Sequence, residues 1–299
     1  MAGDWTKYFD AKTITLLTNI GYKPAGLVEG NLVGDHRSPF HGFAVEFAGH
    51  RGYVPGDDVK HVDWKAYYKT GKYLVKQYEQ ETNLIAHILV DVSESMLFQH
   101  EHGSRIDYAA FMATALSQVI TSQSDRVGVY LFDNALRNII RPTSGHEIVG
   151  KIADSLADVQ IKEPSAIGKM LNLVAERVRR RAVVFVISDF FADVEATLQG
   201  VRRLMDDKHE VVLFQVVDPL ELRFELPGRA RLLELEGVDS MNVVGASVRE
   251  SYETLFHAFL EDLEKRATAL GADLLLCDMG KPFGFHLAEY LSGRIVKRN

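Results

Sequence analysis

The chain has 299 residues, 46% hydrophobic and 25% charged, enough for one globular domain of about 200 residues with an appendage, or for two domains. A formal net charge of -7 argues against nucleic-acid binding, since the one basic run, Arg177, Arg179, Arg180 and Arg181, falls at a helix end where cations suit the dipole. Cys277 is the only cysteine, which excludes an intramolecular disulfide and a thiolate zinc site and points to a reducing compartment.

In chain order, Trp5, Phe9, Ile14, Leu16 and Leu17 recur at helical spacing and predict a first helix between about Asp4 and Thr18. The glycines from Gly26 to Asp63 mark turns and short strands, and Lys72 to Gln80 reads as an exposed strand. A buried strand over Leu84 to Val90 opens a regular alternation. It continues with helix Arg105 to Ser122, strand Arg126 to Phe132, a short strand near Arg137 to Ile140, and helices near His146 to Leu156 and Ala166 to Arg180. Strand Ala182 to Ser188, helix Val194 to Asp206, strand His209 to Val217, helix Ser247 to Ala269, strand Asp273 to Cys277 and a last helix near Phe283 to Leu291 follow. Continuous apolar strands alternating with helices predict an α/β fold: a doubly wound, mainly parallel, Rossmann-like sheet covered on both faces.

Leu222, Phe224 and Leu226, then Leu232, Leu233 and Leu235, with Pro227-Gly228 between them, predict a hairpin inserted at about 218–245. It is expected to pair with the Gly-rich segment as a small β subdomain. The division expected is 1–82, an N-terminal helix and Gly-rich β segment, and 83–299, the α/β domain. No apolar run approaches the roughly 20 residues that cross a bilayer. Met1-Ala2-Gly3-Asp4-Trp5-Thr6-Lys7 lacks a signal-peptide layout. A cytoplasmic location is expected, with peripheral association to a membrane complex left open.

The stretch Asp91-Val92-Ser93-Glu94-Ser95 directly follows a buried-type strand, and Val183 to Ile187 similarly delivers Ser188-Asp189. Ligands of doubly wound sheets bind beyond the carboxyl ends of the strands, where both aspartates fall. Ser165, just before the helical pattern Met170, Leu171, Leu173, Val174 and Val178, adds a third loop. One carboxylate and two hydroxyls on alternate residues of a tight turn, with a second carboxylate and a third hydroxyl nearby, are oxygen ligands suited to Mg2+, Mn2+ or Ca2+. A bland reading stands beside this one. Each serine is also a good turn or N-cap residue, and Ser165 after Pro164 reads as a helix N-cap.

In these residues the chain resembles a von Willebrand factor type A domain. The metal-ion-dependent adhesion site of that family uses Asp-x-Ser-x-Ser, then a Thr, then an Asp on three loops. The resemblance puts Asp91, Ser93 and Ser95 on the first loop, Asp189 on the third, and Ser165 where the family usually has Thr. A carboxylate from a partner is the natural remaining ligand, being hard and anionic.

Further motifs are Gly34-Asp35-His36-Arg37-Ser38-Pro39-Phe40-His41-Gly42, Glu46-Phe47, Arg51-Gly52-Tyr53, Gly56-Asp57-Asp58 and Val62-Asp63-Trp64-Lys65. With them the chain closely resembles the bacterial domain-of-unknown-function family number fifty-eight, from about Leu27 to Arg294, departing at Tyr68-Lys69. What this resemblance implies is a MoxR-type AAA+ ATPase as partner and a role in assembly or maturation of other complexes. Arg37, Arg51, Asp57, Asp58, Asp63 and Trp64 read either as a salt-bridged, capped scaffold or as an interface with Trp64 as anchor.

No Gly-x-x-x-x-Gly-Lys-Ser/Thr loop occurs, so nucleotide hydrolysis by this chain is not expected. A metal-dependent phosphatase is the rival reading, and it needs an acid two residues after Asp91, where Ser93 stands. A scaffold with a decayed metal site is the third. The leading expectation is a non-enzymatic, metal-dependent adaptor that binds no nucleic acid.

Overall fold

The computed structural model describes residues 5–24, 45–54, 62–80, 84–145, 147–158, 163–224, 229–233 and 240–296. The chain forms two compact units, Met1–Lys23 with Leu84–Asn299, and Pro24–Asn83. The first helix therefore belongs with the α/β unit and not with the Gly-rich segment, which corrects the division expected at residue 82. The reason is packing. After a 3-10 turn at Trp5–Tyr8, helix α1 (Ala11–Ile20) buries Ile14 and Leu17, and Gly284 lies so close that a Cβ there would meet Thr13 Cγ2 at 2.2 Å. The predicted helix is interrupted because Asp10 caps α1, accepting from the backbone N–H groups of Lys12 and Thr13 at 3.1 and 3.4 Å.

In the smaller unit, strand β1 (Val45–Gly52), helix α2 (Trp64–Thr70) and strand β2 (Leu74–Gln80) are described. β1 and β2 pair antiparallel, with Val45 opposite Gln80 and a register shift between Phe47 and Gly49. Helix α2 has no counterpart in the sequence reading. Asp63 starts it, accepting from Lys65 N–H at 3.0 Å and Ala66 N–H at 3.2 Å, and Gly71 ends it in the left-handed region at φ 70°.

The larger unit continues with β3 (Ile85–Asp91), β4 (Gln99–His100), β5 (Gly103–Ser104), α3 (Arg105–Ser122), β6 (Arg126–Phe132), β7 (Leu136–Thr143), α4 (Glu147–Ala157) and α5 (Ile167–Arg177). Then come β8 (Val183–Ser188), α6 (Val194–Asp206), β9 (Glu210–Val217), α7 (Pro219–Arg223), β10 (Arg229–Leu233), β11 (Ser240–Val244), α8 (Gly245–Ala269), β12 (Asp273–Asp278) and α9 (Phe283–Val296). Six strands form one sheet in the order β12-β9-β8-β3-β6-β7, parallel except for β7 at one edge. This is the doubly wound α/β arrangement read from the alternation of apolar strands and helices.

The strands are apolar almost without break because both faces are covered. Leu89, Val184, Val186, Leu213, Leu171, Val201 and Leu263 form one continuous core. On the other side Phe185, Phe214 and Tyr290 pack ring to ring, centroids 5.4 to 6.5 Å apart. The inserted hairpin differs from expectation in place and partner. Leu222 and Phe224 lie in and just after α7, which forms because Asp218-Pro219-Glu221 makes a capping box with proline in the first turn. β10 pairs with β11, Arg229 opposite Val244, and among the described residues neither pairs with β1 or β2.

Helices α5 and α6 approach through glycine. A Cβ on Gly168 would lie 2.4 Å from the Ala196 carbonyl carbon, and one on Gly200 would lie 2.6 Å from Leu171 Cβ. Ser165 is three residues before Gly168, so this contact sets where its loop ends. Gly168→Ala is expected to destabilise the fold by about 1–3 kcal/mol through overpacking. Gly150→Ala in α4, where nothing lies within 4 Å, is expected to be neutral or stabilising by up to about 1 kcal/mol. Chemical denaturation of the two variants checks the pair.

Candidate metal centre

The central strand β3 carries Asp91 as its last residue, fully buried. Val92 N–H continues the ladder to the Phe132 carbonyl at 2.7 Å, after which Ser93 N–H donates back to Asp91 Oδ1 at 3.0 Å and turns the chain. Ser93 then stands at the N-cap position of a 3-10 turn, Glu94–Leu97, yet makes no side-chain capping bond. Its hydroxyl instead lies 3.1 Å from the hydroxyl of Ser95, and both serines are buried.

Ser165 behaves the same way. The N-cap of α5 is Ala166, and Ser165 Oγ donates to Asp91 Oδ2 at 2.8 Å. The capping roles expected for these two serines are thus not the ones they take. Two backbone bonds pin this loop: Glu94 N–H to the Glu163 carbonyl at 3.1 Å, and Ala166 N–H to the Asp133 carbonyl at 3.2 Å. Asp91, Ser93, Ser95 and Ser165 are brought together as a set.

Asp189 follows β8 and is also buried, but it is already engaged. Arg105 Nη1 donates to its Oδ2 at 2.8 Å, and Phe191 N–H to its Oδ1 at 3.2 Å. With both oxygens so occupied, Asp189 suits a ligand role through water or as a nearby countercharge.

Three participants escaped the sequence reading. Ser188 donates its hydroxyl to Asp91 Oδ2 at 2.8 Å, and its only sequence signal is its place beside Asp189. Arg105, the first residue of α3 and 1% exposed, also donates to the Ser95 carbonyl at 2.9 Å and pairs with Glu221. Its guanidinium lies over the rings of Phe98 and Phe191, at 4.8 and 5.1 Å. Glu221 reaches it from α7, and no motif announced either partner.

Burial and then the neighbouring Asp189 push the Asp91 carboxyl up to about 6, against the hydrogen bonds from Ser93, Ser165 and Ser188 that favour its ionised form. Burial likewise raises the Glu221 carboxyl, opposed by Arg105. Among the described residues the three carboxyls Asp91, Asp189 and Glu221 meet one guanidinium here, that of Arg105. A divalent cation would offset that excess of carboxyls, and the neighbouring side chains of Ser93, Ser95, Ser165 and Ser188 carry oxygen ligands of the kind a hard metal ion takes. Among the described residues no group of three His, Cys, Asp or Glu converges to hold a metal.

The other candidates belong to the smaller unit. Arg51 donates to the Gly52 carbonyl at 3.3 Å, and Asp63 caps α2 and accepts from or pairs with His50 Nε2 at 2.9 Å. Trp64 is exposed. Arg37, Asp57 and Asp58 lie outside the described residues.

The fold is a doubly wound, mainly parallel α/β sheet with Asp-x-Ser-x-Ser on the turn after its central strand. The chain belongs to the family described as protein of unknown function DUF58, whose model matches residues 49–259. Uncharacterized protein Rv1480 of Mycobacterium tuberculosis (strain ATCC 25618 / H37Rv) is 24% identical over 289 residues, covering 95% of this chain and 90% of its own length. Uncharacterized protein Mb1516 of Mycobacterium bovis matches to the same extent, 24% over 289 residues. Among solved structures, BatB from Bacteroides thetaiotaomicron superposes with a TM-score of 0.48 at 16% identity, over 71% of this chain and 99% of that one. The SpRpn10 VWA domain does so with a TM-score of 0.43 at 12% identity, over 70% and 95%. Among the described residues no helix is long and apolar enough to cross a membrane.

Two outcomes follow from the charges. The folded Asp91 carboxyl lies above its ordinary 3.8, so without metal its contribution is fully present below about pH 4 and is lost as pH rises through about 6. In chelator, Asp91→Asn is therefore expected to be more stable than the native chain near neutral pH by about 2–3 kcal/mol, the difference closing below about pH 4. Denaturant titrations across pH check it. Arg105→Met leaves Asp189 and Glu221 buried without a cation and is expected to cost about 3–5 kcal/mol, read from the same titrations.

Proposed function

We propose that this protein is a non-enzymatic, metal-dependent protein-binding adaptor. A divalent cation, Mg2+ first and Mn2+ or Ca2+ next, is held by Asp91, Ser93, Ser95 and Ser165, with Asp189 acting through water or as countercharge. When bound, the ion supplies a positively charged position that an acidic side chain of a partner completes. The partner is a MoxR-type AAA+ ATPase or the client on which that ATPase works during assembly or maturation of a complex.

One observation carries this reading. A wholly buried carboxylate at the end of the central strand collects hydroxyls from Ser165 and Ser188, while Ser93 and Ser95 turn theirs to each other rather than to helix caps. Burying a carboxylate this way is costly unless a cation or strong hydrogen bonds compensate. Asp91 already has the hydrogen bonds, and its raised pKa indicates that they do not suffice. The rival phosphatase reading needs an acid two residues after Asp91, and Ser93 stands there.

The test is a pull-down with the native chain and Asp91→Ala, each in magnesium and in chelator, with captured proteins identified by mass spectrometry. Capture of an AAA+ ATPase by the native chain in magnesium alone is the expected result. Equal capture by both chains would put the interface elsewhere. Thermal melting gives an independent check: magnesium is expected to raise the melting temperature of the native chain and leave Asp91→Ala unmoved.

A further inference from the structure

Helix α2 and the turn after it expose a compact set of aromatic and basic side chains. Trp64, Tyr68 and Tyr73 are 47%, 87% and 53% exposed, which is unusual for rings that could be buried. They are not loose. Tyr67 stacks on Tyr73 with centroids 4.5 Å apart and planes 24° from parallel, and packs edge-on against Trp64 at 6.1 Å and Tyr68 at 6.2 Å. The backbone beneath is held at both ends by the Asp63 cap and the left-handed Gly71.

Three lysines stand in the same ten residues, Lys65, Lys69 and Lys72, all exposed, and residues 64–73 contain no acid. Among the described residues none of the three ammonium groups is matched by a carboxylate. Lys65 and Lys69 are four apart on one helix, a like-charge pair that repels. This local cluster sits in a chain whose formal net charge is -7.

We propose that the surface of Trp64, Tyr67, Tyr68, Tyr73 and the three lysines is a docking site for a short acidic segment of a partner protein. The rings offer rigid, amphipathic contact area of the kind that dominates protein interfaces, and the lysines select carboxylates. The length of the ligand follows from charge. Without the patch's three lysines the formal charge of the chain is more negative than -7, so the protein's overall field disfavours an extended polyanion, a nucleic acid or an anionic bilayer, over one confined to the patch. A short segment ends within it. Asp63 serves the patch through the backbone of the helix that carries it, which its side chain caps.

The full chain carrying Trp5→Phe keeps Trp64 as its only tryptophan, and its fluorescence reports on the patch. The probes are a short poly-glutamate peptide, vesicles of phosphatidylcholine with phosphatidylserine, and an oligothymidylate. The expected result is a saturable response to the peptide that salt weakens and that Lys65→Gln/Lys69→Gln/Lys72→Gln reduces about tenfold. Tyr68→Ala, a fully surface change that leaves circular dichroism and melting unaltered, is expected to weaken it as well. No saturable response, or one that the triple variant retains, overturns the proposal. A stronger, lysine-dependent response to the vesicles or the oligothymidylate also overturns it and reassigns the surface to lipid or nucleic acid.

Discussion

The Asp91 carboxylate is the point on which the larger unit turns. It is wholly buried at the end of the central strand, in surroundings that raise its pKa, and it is kept there by a backbone amide and two hydroxyls from three different segments. A charge in such a place must be surrounded or neutralised. The turn after β3, the approach to α5 and the end of β8 are all shaped by that requirement. So is the short reach of Ser188 back across the sheet, which also lets its hydroxyl accept from Phe190 N–H at 3.1 Å where the chain turns away with a positive φ of 58°.

Around this core Arg105 acts as a brace. It joins the first turn of α3 to the Ser95 carbonyl, to Asp189 and to Glu221, so four separate pieces of chain share one buried guanidinium. Its planar, fixed donors suit that task better than an ammonium would. The same helix α3 extends to the far side of the strand-end face. Tyr108 there donates to the Lys281 carbonyl at 3.1 Å, and Phe111 stacks on Phe283 with centroids 5.3 Å apart. The position of the site residues and the packing of α9 are therefore determined by one helix.

The two units use aspartate differently. In the larger unit aspartates terminate β3 and β12 and directly follow β6, β8 and β9, so the carboxyl edge of the sheet is lined by Asp91, Asp133, Asp189, Asp218 and Asp278. Some of these are turn formers. Asp133 takes Arg137, and Asp218 caps α7. Only Asp91 gathers hydroxyls from separate loops. In the smaller unit Asp63 caps α2 and pairs with His50.

Much of the fold was legible because its signals are local. Arg105 to Ser122, Arg126 to Phe132 and Val194 to Asp206 begin and end where their apolar patterns and caps say, and unbroken apolar strands between helices require a parallel sheet. Asp91, Ser93 and Ser95 were legible for the same reason, as three residues on one turn. Helix α2 was missed because its seven residues bury no side chain and so show no apolar face, and α7 because Asp218-Pro219 was outweighed by the alternating Leu222 and Phe224. By itself the sequence determined the order of elements and the carboxylate and hydroxyl types at the strand ends, since periodicity and turn chemistry act over a few residues. Only the tertiary structure decided that Ser188 joins Ser165 on Asp91, that Arg105 holds Asp189, and that the first helix belongs to the α/β unit. These are contacts between segments tens of residues apart, and no local pattern encodes them.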